Sequence, residues 1–329
     1  MRRTILPVLI LVCGAASATA EPIEIRSQPI TTFGGVEPGG KAGALIFEGG
    51  LNLTSDAAAF SSLSGLTFPD LGERFIAVSD KGFFVTGTVD HTESGQPAGI
   101  LDGRIEEITN SGGDVLPRAF ARDAEAVQTI RRDGRAAAVR VGFEHLTRVA
   151  DFDLVDGVPT GAARVVAIPE WLERMRTNTS IESLCIAPPA SPVSGSTLLI
   201  VEADAGDGTH RAFLLGQRDR GELALEQAGG FNPTDCAFLP NGDLLVLERG
   251  TVLISFVMQV RRFKAADVHR GGRLTGEVIL SGGGADIDNM EGLGVHRGAD
   301  GSLRISLVSD NNENGWERTI LLEFSLPGE

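Results

Sequence analysis

Acidic side chains recur along this chain at a fixed point of a repeated pattern. Five short segments carry it: LSGLTF (63–68), AEAVQTI (124–130), IESLCIAP (181–188), TDCAFLP (234–240) and MEGLGVH (290–296). Aligned on Ser64, Glu125, Glu182, Asp235 and Glu291, they start 61, 57, 53 and 56 residues apart. A second apolar stretch follows each one and ends on or near another acid, at Asp80, Glu144, Glu202, Glu248 and Asp310. The last of these runs into SDNNENGWERT, which adds Asn311 and Asn312. Carboxylate and carboxamide oxygens in such numbers suit a hard cation such as Ca²⁺. They equally suit a turn, because Asn and Asp bond their own backbone and tolerate left-handed conformations.

The chemistry can be divided among named residues. Asn289, Glu291, Asp310 and Asn311 are the expected Ca²⁺ ligands, the amides adding oxygen donors without adding repulsion. Asp80, Glu182, Asp235 and Asn312 are expected around a bound ligand. Glu125, Glu144, His145, Arg148 and Arg249 are the catalytic candidates. His145 follows Glu144 directly and is placed to act as a general base. Arg148 or Arg249 would offset the charge of a transition state. Any one acid could instead cap a strand end. A whole ring of them is costly to keep for architecture alone, unless cations, arginines or protons share it. Arg148, Arg249 and Arg318 are placed to help.

The elements that must hold these groups are strands. In each repeat the inner strand and the second strand are separated by turn residues such as RRDG (131–134), PNG (240–242) and GADG (298–301). Alternating third strands follow at 148–154, 210–216, 258–264 and 319–326, and fainter fourth strands at 103–109, 163–169, 223–229 and 275–281. A four-stranded unit repeating every 50–60 residues is the mark of an all-β fold, the β-propeller. Five blades are counted, or six if residues 22–60 hold a further unit. The last repeat ends without a fourth strand, and residues 43–54 (GALIFEGGLNLT) can supply it, closing the ring and removing two sheet edges. The acids at the inner-strand starts and second-strand ends then meet at one mouth of the channel. The one clear helical stretch is IPEWLERMRT (168–177).

Residues 1–20 combine Arg2 and Arg3, an apolar run and Ala18-Thr19-Ala20, the plan of a secretory signal peptide. Residues 21–329 then form one domain, with no other run long enough to span a bilayer. Removing that segment takes away two arginines and no acid, moving the net charge from −15 to −17. Such a field excludes nucleic acid as a partner. A periplasmic or secreted monomer acting on a small molecule is expected. Export permits a disulfide between Cys185 and Cys236, although two buried thiols on neighbouring strands fit as well. No Gly-x-Ser-x-Gly elbow and no phosphate-binding P-loop is present.

Several stretches together resemble the phytase-like family known for esterase-like activity of phytase: LSGLTF…RFIAVSDKG, RDAEAV, FEHLTRVADFDL, NTSIESL, NPTDCAFLPNGDLLVLERG, DIDNMEGLGV and LVSDNNENGWERTILLEFSL. The resemblance runs over about residues 60–326, and DNMEGL followed by SDNN is its most specific part. It implies an exported bacterial β-propeller with phosphoester hydrolase activity. Where the family often has an aromatic after the Asn pair, this chain has Glu313, with Trp316 nearby. Lys41, Lys81 and Lys264 are the only lysines, so no lysine-rich phosphate-binding face is visible. The leading expectation is a Ca²⁺-dependent phosphoester hydrolase working at an acidic channel mouth. The alternatives are a lactonase-like carboxylic-ester hydrolase, whose Ca²⁺ would suit Glu291, Asn289 and Asn311, or a non-catalytic propeller that binds a ligand or partner.

Overall fold

The second strand of every repeat is the best place to begin, because it is buried on both faces. In the computed structural model, which describes residues 20–70 and 72–328, all eight residues of Leu303–Asp310 are buried. A strand sandwiched between two neighbouring sheets reads as an almost unbroken apolar run, as here. The outer strands Pro97–Glu107 and Val158–Val166 are half exposed, which is why their pattern is faint in the sequence. The expected signal segment lies, but for Ala20, outside the described residues.

Five antiparallel sheets form, each a blade. From inside outward, blade one holds Leu63–Thr67, Arg74–Ser79, Phe83–His91 and Pro97–Glu107. Blade two holds Ala124–Arg132, Arg135–Phe143, Arg148–Val155 and Val158–Val166. Blade three holds Ile181–Ile186, Thr197–Asp204, Thr209–Leu215 and Gly221–Glu226. Blade four holds Phe231–Phe238, Leu244–Val252, Ser255–Phe263 and Glu277–Gly283. Blade five holds Asn289–Arg297, Leu303–Asp310, Thr319–Ser325 and, from the N-terminal side, Leu45–Thr54. Each inner strand touches the inner strands of the blades on either side, so the ring closes at five.

The closing strand runs antiparallel to Thr319–Ser325, with Leu51 opposite Leu321 and Phe47 opposite Phe324. Residues 22–60 therefore build no sixth blade. Instead they extend existing ones: Arg26–Ile30 pairs outside Leu45–Thr54, and Glu21–Pro22 pairs with Pro97–Glu107. The expected helix at 168–177 is shorter, Glu170–Glu173, because Pro169 starts it and Arg174 caps it. No helix among the described residues is long and apolar enough to cross a membrane.

The core lies between blades. Ile76, Val78 and Phe84 of blade one pack with Val139, Phe143 and Phe152 of blade two. Leu245 and Met258 of blade four pack with Leu293, Leu307 and Phe324 of blade five. Between blades three and four the two cysteines are joined, Cys185–Cys236, with Cα atoms 5.6 Å apart. That decides between the bridge and two free thiols.

One irregularity matters for the site. Each inner strand carries a β-bulge against its second strand, close to its start. The extra residue is Glu125 between Ala124 and Ala126, Glu182 between Ile181 and Ser183, and Glu291 between Met290 and Gly292. A bulge bends the strand and re-aims the side chain it carries. In blade four the extra residue is Thr234, so Asp235 stays in register opposite Leu247.

Candidate functional site

The bulges turn three glutamates, Glu125, Glu182 and Glu291, toward one mouth of the channel, where the second strands deliver Asp80, Glu144, Glu202 and Asp310. Asp123, just before the inner strand of blade two, joins them. These groups sense one another: Glu125 feels Asp123, Glu144, Glu291 and Asp80, while Glu182 feels Glu125, Glu144, Glu291 and Glu202. Burial pushes the Glu125 and Glu182 carboxyls well above the usual range, and their neighbours push them further. Burial likewise raises Glu144 to about 8, against one N–H donor, that of Ser180 at 2.5 Å. Glu291 and Asp80 are each raised by burial to about 7, although Arg249 and Lys81 respectively pull them down.

Cations are unevenly shared around this ring. Arg249 pairs with Glu291 at 2.8 Å and lies 3.9 Å from Glu202, and it donates to Asn289 Oδ1. Asn232 Nδ2 adds a donor to Glu202 at 3.0 Å. Lys81 bridges Glu313 at 2.9 Å and Asp80 at 4.0 Å, at the rim. Among the described residues, Glu125, Glu144 and Glu182 have no Lys or Arg within ion-pair distance, and Asp123 has only the ring of His145. Arg148 serves this side weakly. Its guanidinium stacks on Phe143 at 3.6 Å and donates to the carbonyls of Leu146 and Ala121 at 3.0 and 2.6 Å. Burial lowers it to about 10, with Asp123 opposing.

His145 has a positive φ of 46°, so it turns out of the strand just after Glu144, and its Nδ1 bonds Asp123 Oδ2. The Asp123, Glu144 and His145 ligand atoms all lie within 4.8 Å of one another. Asp123 and His145 border a cleft of about 600 Å³ that Asp80, Lys81, Phe120 and Arg122 also line.

Several expected roles change. Asp235 does not face the mouth. Both its oxygens are taken by backbone N–H groups, those of Cys236 and Leu293 at 2.8 Å and Leu66 at 3.4 Å, so it ties the inner strands of blades four, five and one together. Burial pushes its carboxyl up against those three donors. Glu248 also points away, because it sits one residue before Arg249 and strand neighbours face opposite sides. It is fully buried and bonds Gln259 Nε2 at 2.7 Å and Arg261 Nε at 2.8 Å. Arg318 pairs with Asp288 at 2.6 Å.

Of the expected Ca²⁺ shell, Asn289, Glu291 and Asp310 come together, with Asn289 Nδ2 3.4 Å from Asp310 Oδ2 and Glu291 sensing Asp310. The Arg249 guanidinium contacts both Asn289 and Glu291. Asp310 Oδ1 accepts the Asn312 N–H at 2.7 Å, and Asn311 Oδ1 accepts those of Ser62 and Glu313 at 3.2 Å each. Asn312 and Glu313 have φ of 46° and 51°, and Asn312 Nδ2 donates to Glu317 at 2.6 Å. The SDNN stretch is therefore a run of side-chain-stabilised turns. Across the mouth lie Asp123, Glu125, Glu144 and Glu182; of these, Asp123 and Glu144 come within 4.8 Å of each other together with His145, and carboxylate oxygens suit a hard cation. Asp123 has no acidic counterpart in the other repeats, and its sequence signal is its place in RDAEAV, two residues before Glu125.

No curated protein matches the chain. Among solved structures, a PQQ-bound aldose sugar dehydrogenase from Streptomyces coelicolor is 9% identical with a TM-score of 0.45, covering 94% of this chain and 99% of that one. An endo-1,4-beta-xylanase from Bacteroides thetaiotaomicron is 10% identical with a TM-score of 0.47, covering 80% of this chain and 90% of that one. Likeness of that degree says nothing about activity. The sequence profile described as phytase-like, esterase-like activity of phytase, matches residues 58–313, which span every inner strand and the whole acidic mouth. On that match the chain belongs to the phytase-like family.

Proposed function

We propose that this protein is an exported hydrolase of small phosphoesters, and that its acidic mouth holds a Ca²⁺ ion on Asp123, Glu125, Glu144 and Glu182. One observation carries the reading: four carboxyl groups converge with no arginine or lysine within ion-pair distance among the described residues, Arg249 and Arg148 reaching Glu182 and Asp123 only from farther off. Such a group must hold protons or a cation. When bound, the ion supplies charge to a phosphoryl oxygen. The chain's own groups do the rest. Lys81 at the cleft rim attracts the anionic substrate. His145, oriented by Asp123, is placed to take a proton from an attacking water through its free Nε2. Glu144, raised to about 8 by burial in the empty mouth, gives up its proton when the ion binds and serves as a ligand. Arg249 is committed to Glu291 and Asn289, so we assign it to holding the mouth's shape. The disulfide supports an oxidising compartment, as export through residues 1–20 would give.

The test is metal analysis of protein purified without chelator, with phosphomonoesters, phosphodiesters and lactones assayed with and without Ca²⁺. Phosphoester turnover that needs Ca²⁺ and falls at least about a hundredfold in His145→Ala supports the proposal. Turnover of lactones alone would replace it with the carboxylic-ester reading. Ca²⁺ binding with no turnover of any substrate would leave a binding propeller.

A further inference from the structure

The channel has a second mouth, and its chemistry is the reverse of the first. Inner strands that start at the acids end about 20 Å away, since Arg131 lies six residues beyond Glu125 on one strand. There a cavity of about 580 Å³ opens, lined by the far ends of the inner strands of all five blades. Its walls are mostly apolar, with Phe68, Ile186, Pro188 and Phe238 among them. A pocket of that size with an apolar lining and a few convergent polar groups is the usual form of a small-molecule site.

The polar groups are donors. Gln128 Oε1 accepts the Thr67 hydroxyl at 2.8 Å and the Thr129 N–H at 3.0 Å. That fixes the amide and leaves its Nε2 hydrogens with no protein acceptor among the described residues. Arg131 donates to the Phe68 carbonyl at 3.2 Å and makes no ion pair among the described residues. Arg297 stands at the rim, its Nη1 on the Gly301 carbonyl at 2.9 Å, and Asp133 is the one carboxylate among the lining residues. His296, which lines the cavity too, is fully buried and stacked on Phe68 at 3.9 Å, and its Nδ1 has no hydrogen-bond partner. A chain with a net charge of −15 repels anions in general, so two arginines outside any ion pair among the described residues, with Asp70 acting on Arg131 only from a distance, are a local exception at this apolar cavity.

We infer that this second mouth binds a small organic acid, its apolar body against the Phe68, Ile186 and Phe238 wall and its carboxylate on Arg131 and the Gln128 amide. The site is separate from the acidic mouth and does not depend on what happens there.

Decanoate, with decanol as its uncharged counterpart, tests this by calorimetric titration into the full protein. We expect saturable one-to-one binding of decanoate, at least about tenfold tighter than decanol, and weakened at least about tenfold by Arg131→Glu while Arg131→Lys retains most of it. Ser194→Trp, at the exposed rim, should block binding by filling the cavity, with an unchanged thermal melt showing that the ring is intact. If Arg131→Glu fails to fold, Ser194→Trp alone decides. No saturable binding, equal binding of decanol, or full affinity in Ser194→Trp would overturn the inference.

Discussion

Calcium binding at the acidic mouth should expel protons, and the number follows from the structure. Asp80 and Glu291 are raised to about 7 and Glu144 to about 8, each by burial first and by neighbouring carboxylates second. At pH 7 the first two are half protonated and the third is about nine-tenths protonated. A divalent cation in this cluster favours the ionised form of every member, and Glu125 and Glu182, also held up by burial, add to the count, so binding should release at least about two protons at pH 7. The sign fixes the pH dependence. These acids bind more protons folded than unfolded, where they would titrate near 4, so their contribution to stability is full below pH ~4 and is lost as the pH rises to ~8. Calcium affinity runs the other way, weak at pH 5 and rising to a plateau near pH 9. The assay is titration calorimetry in two buffers of different ionisation enthalpy, which gives the proton count directly, together with thermal melts from pH 5 to 9 with and without Ca²⁺. Release of less than about half a proton at pH 7, or an affinity flat across that range, would refute the reasoning, because it would mean that the mouth is already ionised and neutralised.

The remaining expectations concern the frame. The Cys185–Cys236 bridge closes a loop of 51 residues, worth about 4 kcal/mol of unfolded-state entropy. The double variant Cys185→Ala/Cys236→Ala should therefore melt roughly 6 °C lower or more by scanning calorimetry, and an unchanged melt would mean that the bridge adds nothing to a ring already closed by strand pairing. Asp235→Asn removes the charge from an acceptor of three backbone N–H bonds and should cost about 2 kcal/mol in denaturant unfolding, while leaving Ca²⁺ affinity untouched; a loss of Ca²⁺ binding at constant stability would restore Asp235 to the ligand site. Burial raises Glu323, but hydrogen bonds from His296 and His91 more than offset it and bring it down to about 2. Its contribution is present above pH ~4 and lost as the pH falls toward ~2, so Glu323→Gln should flatten the acid side of the melting profile, and an unaltered profile below pH ~4 would count against it.

How far the sequence reaches is clearest from particular residues. The repeat spacing and the missing fourth strand of the last repeat pointed to a ring of five or six blades closed by residues 43–54, because strand period and sheet-edge pairing are local rules read along the chain; the pairing of Leu45–Thr54 closes it at five. They also placed Glu125, Glu144, Glu182 and Glu291 at one mouth. The tertiary structure alone decided which acids a given side chain meets. Asp235 and Glu125 hold the same place in the repeat, yet the bulge falls on Thr234 in blade four, and that shift of one residue sends Asp235 to the backbone of its neighbours. Glu248 and Arg249 are adjacent in the chain, and the pleat sends one to Arg261 and the other into the channel, where it contacts Glu291. Asp123 lies in no strand; it ends the short helix Ala119–Arg122, which delivers it beside His145. The disulfide needed two cysteines 51 residues apart to meet across a blade interface. The basic, apolar second mouth left no sequence mark at all, since its residues come from the far ends of five strands that only ring closure brings together. Periodicity along a chain is set by backbone geometry, whereas the partner of a charge is set by which way a pleat or bulge turns it in space.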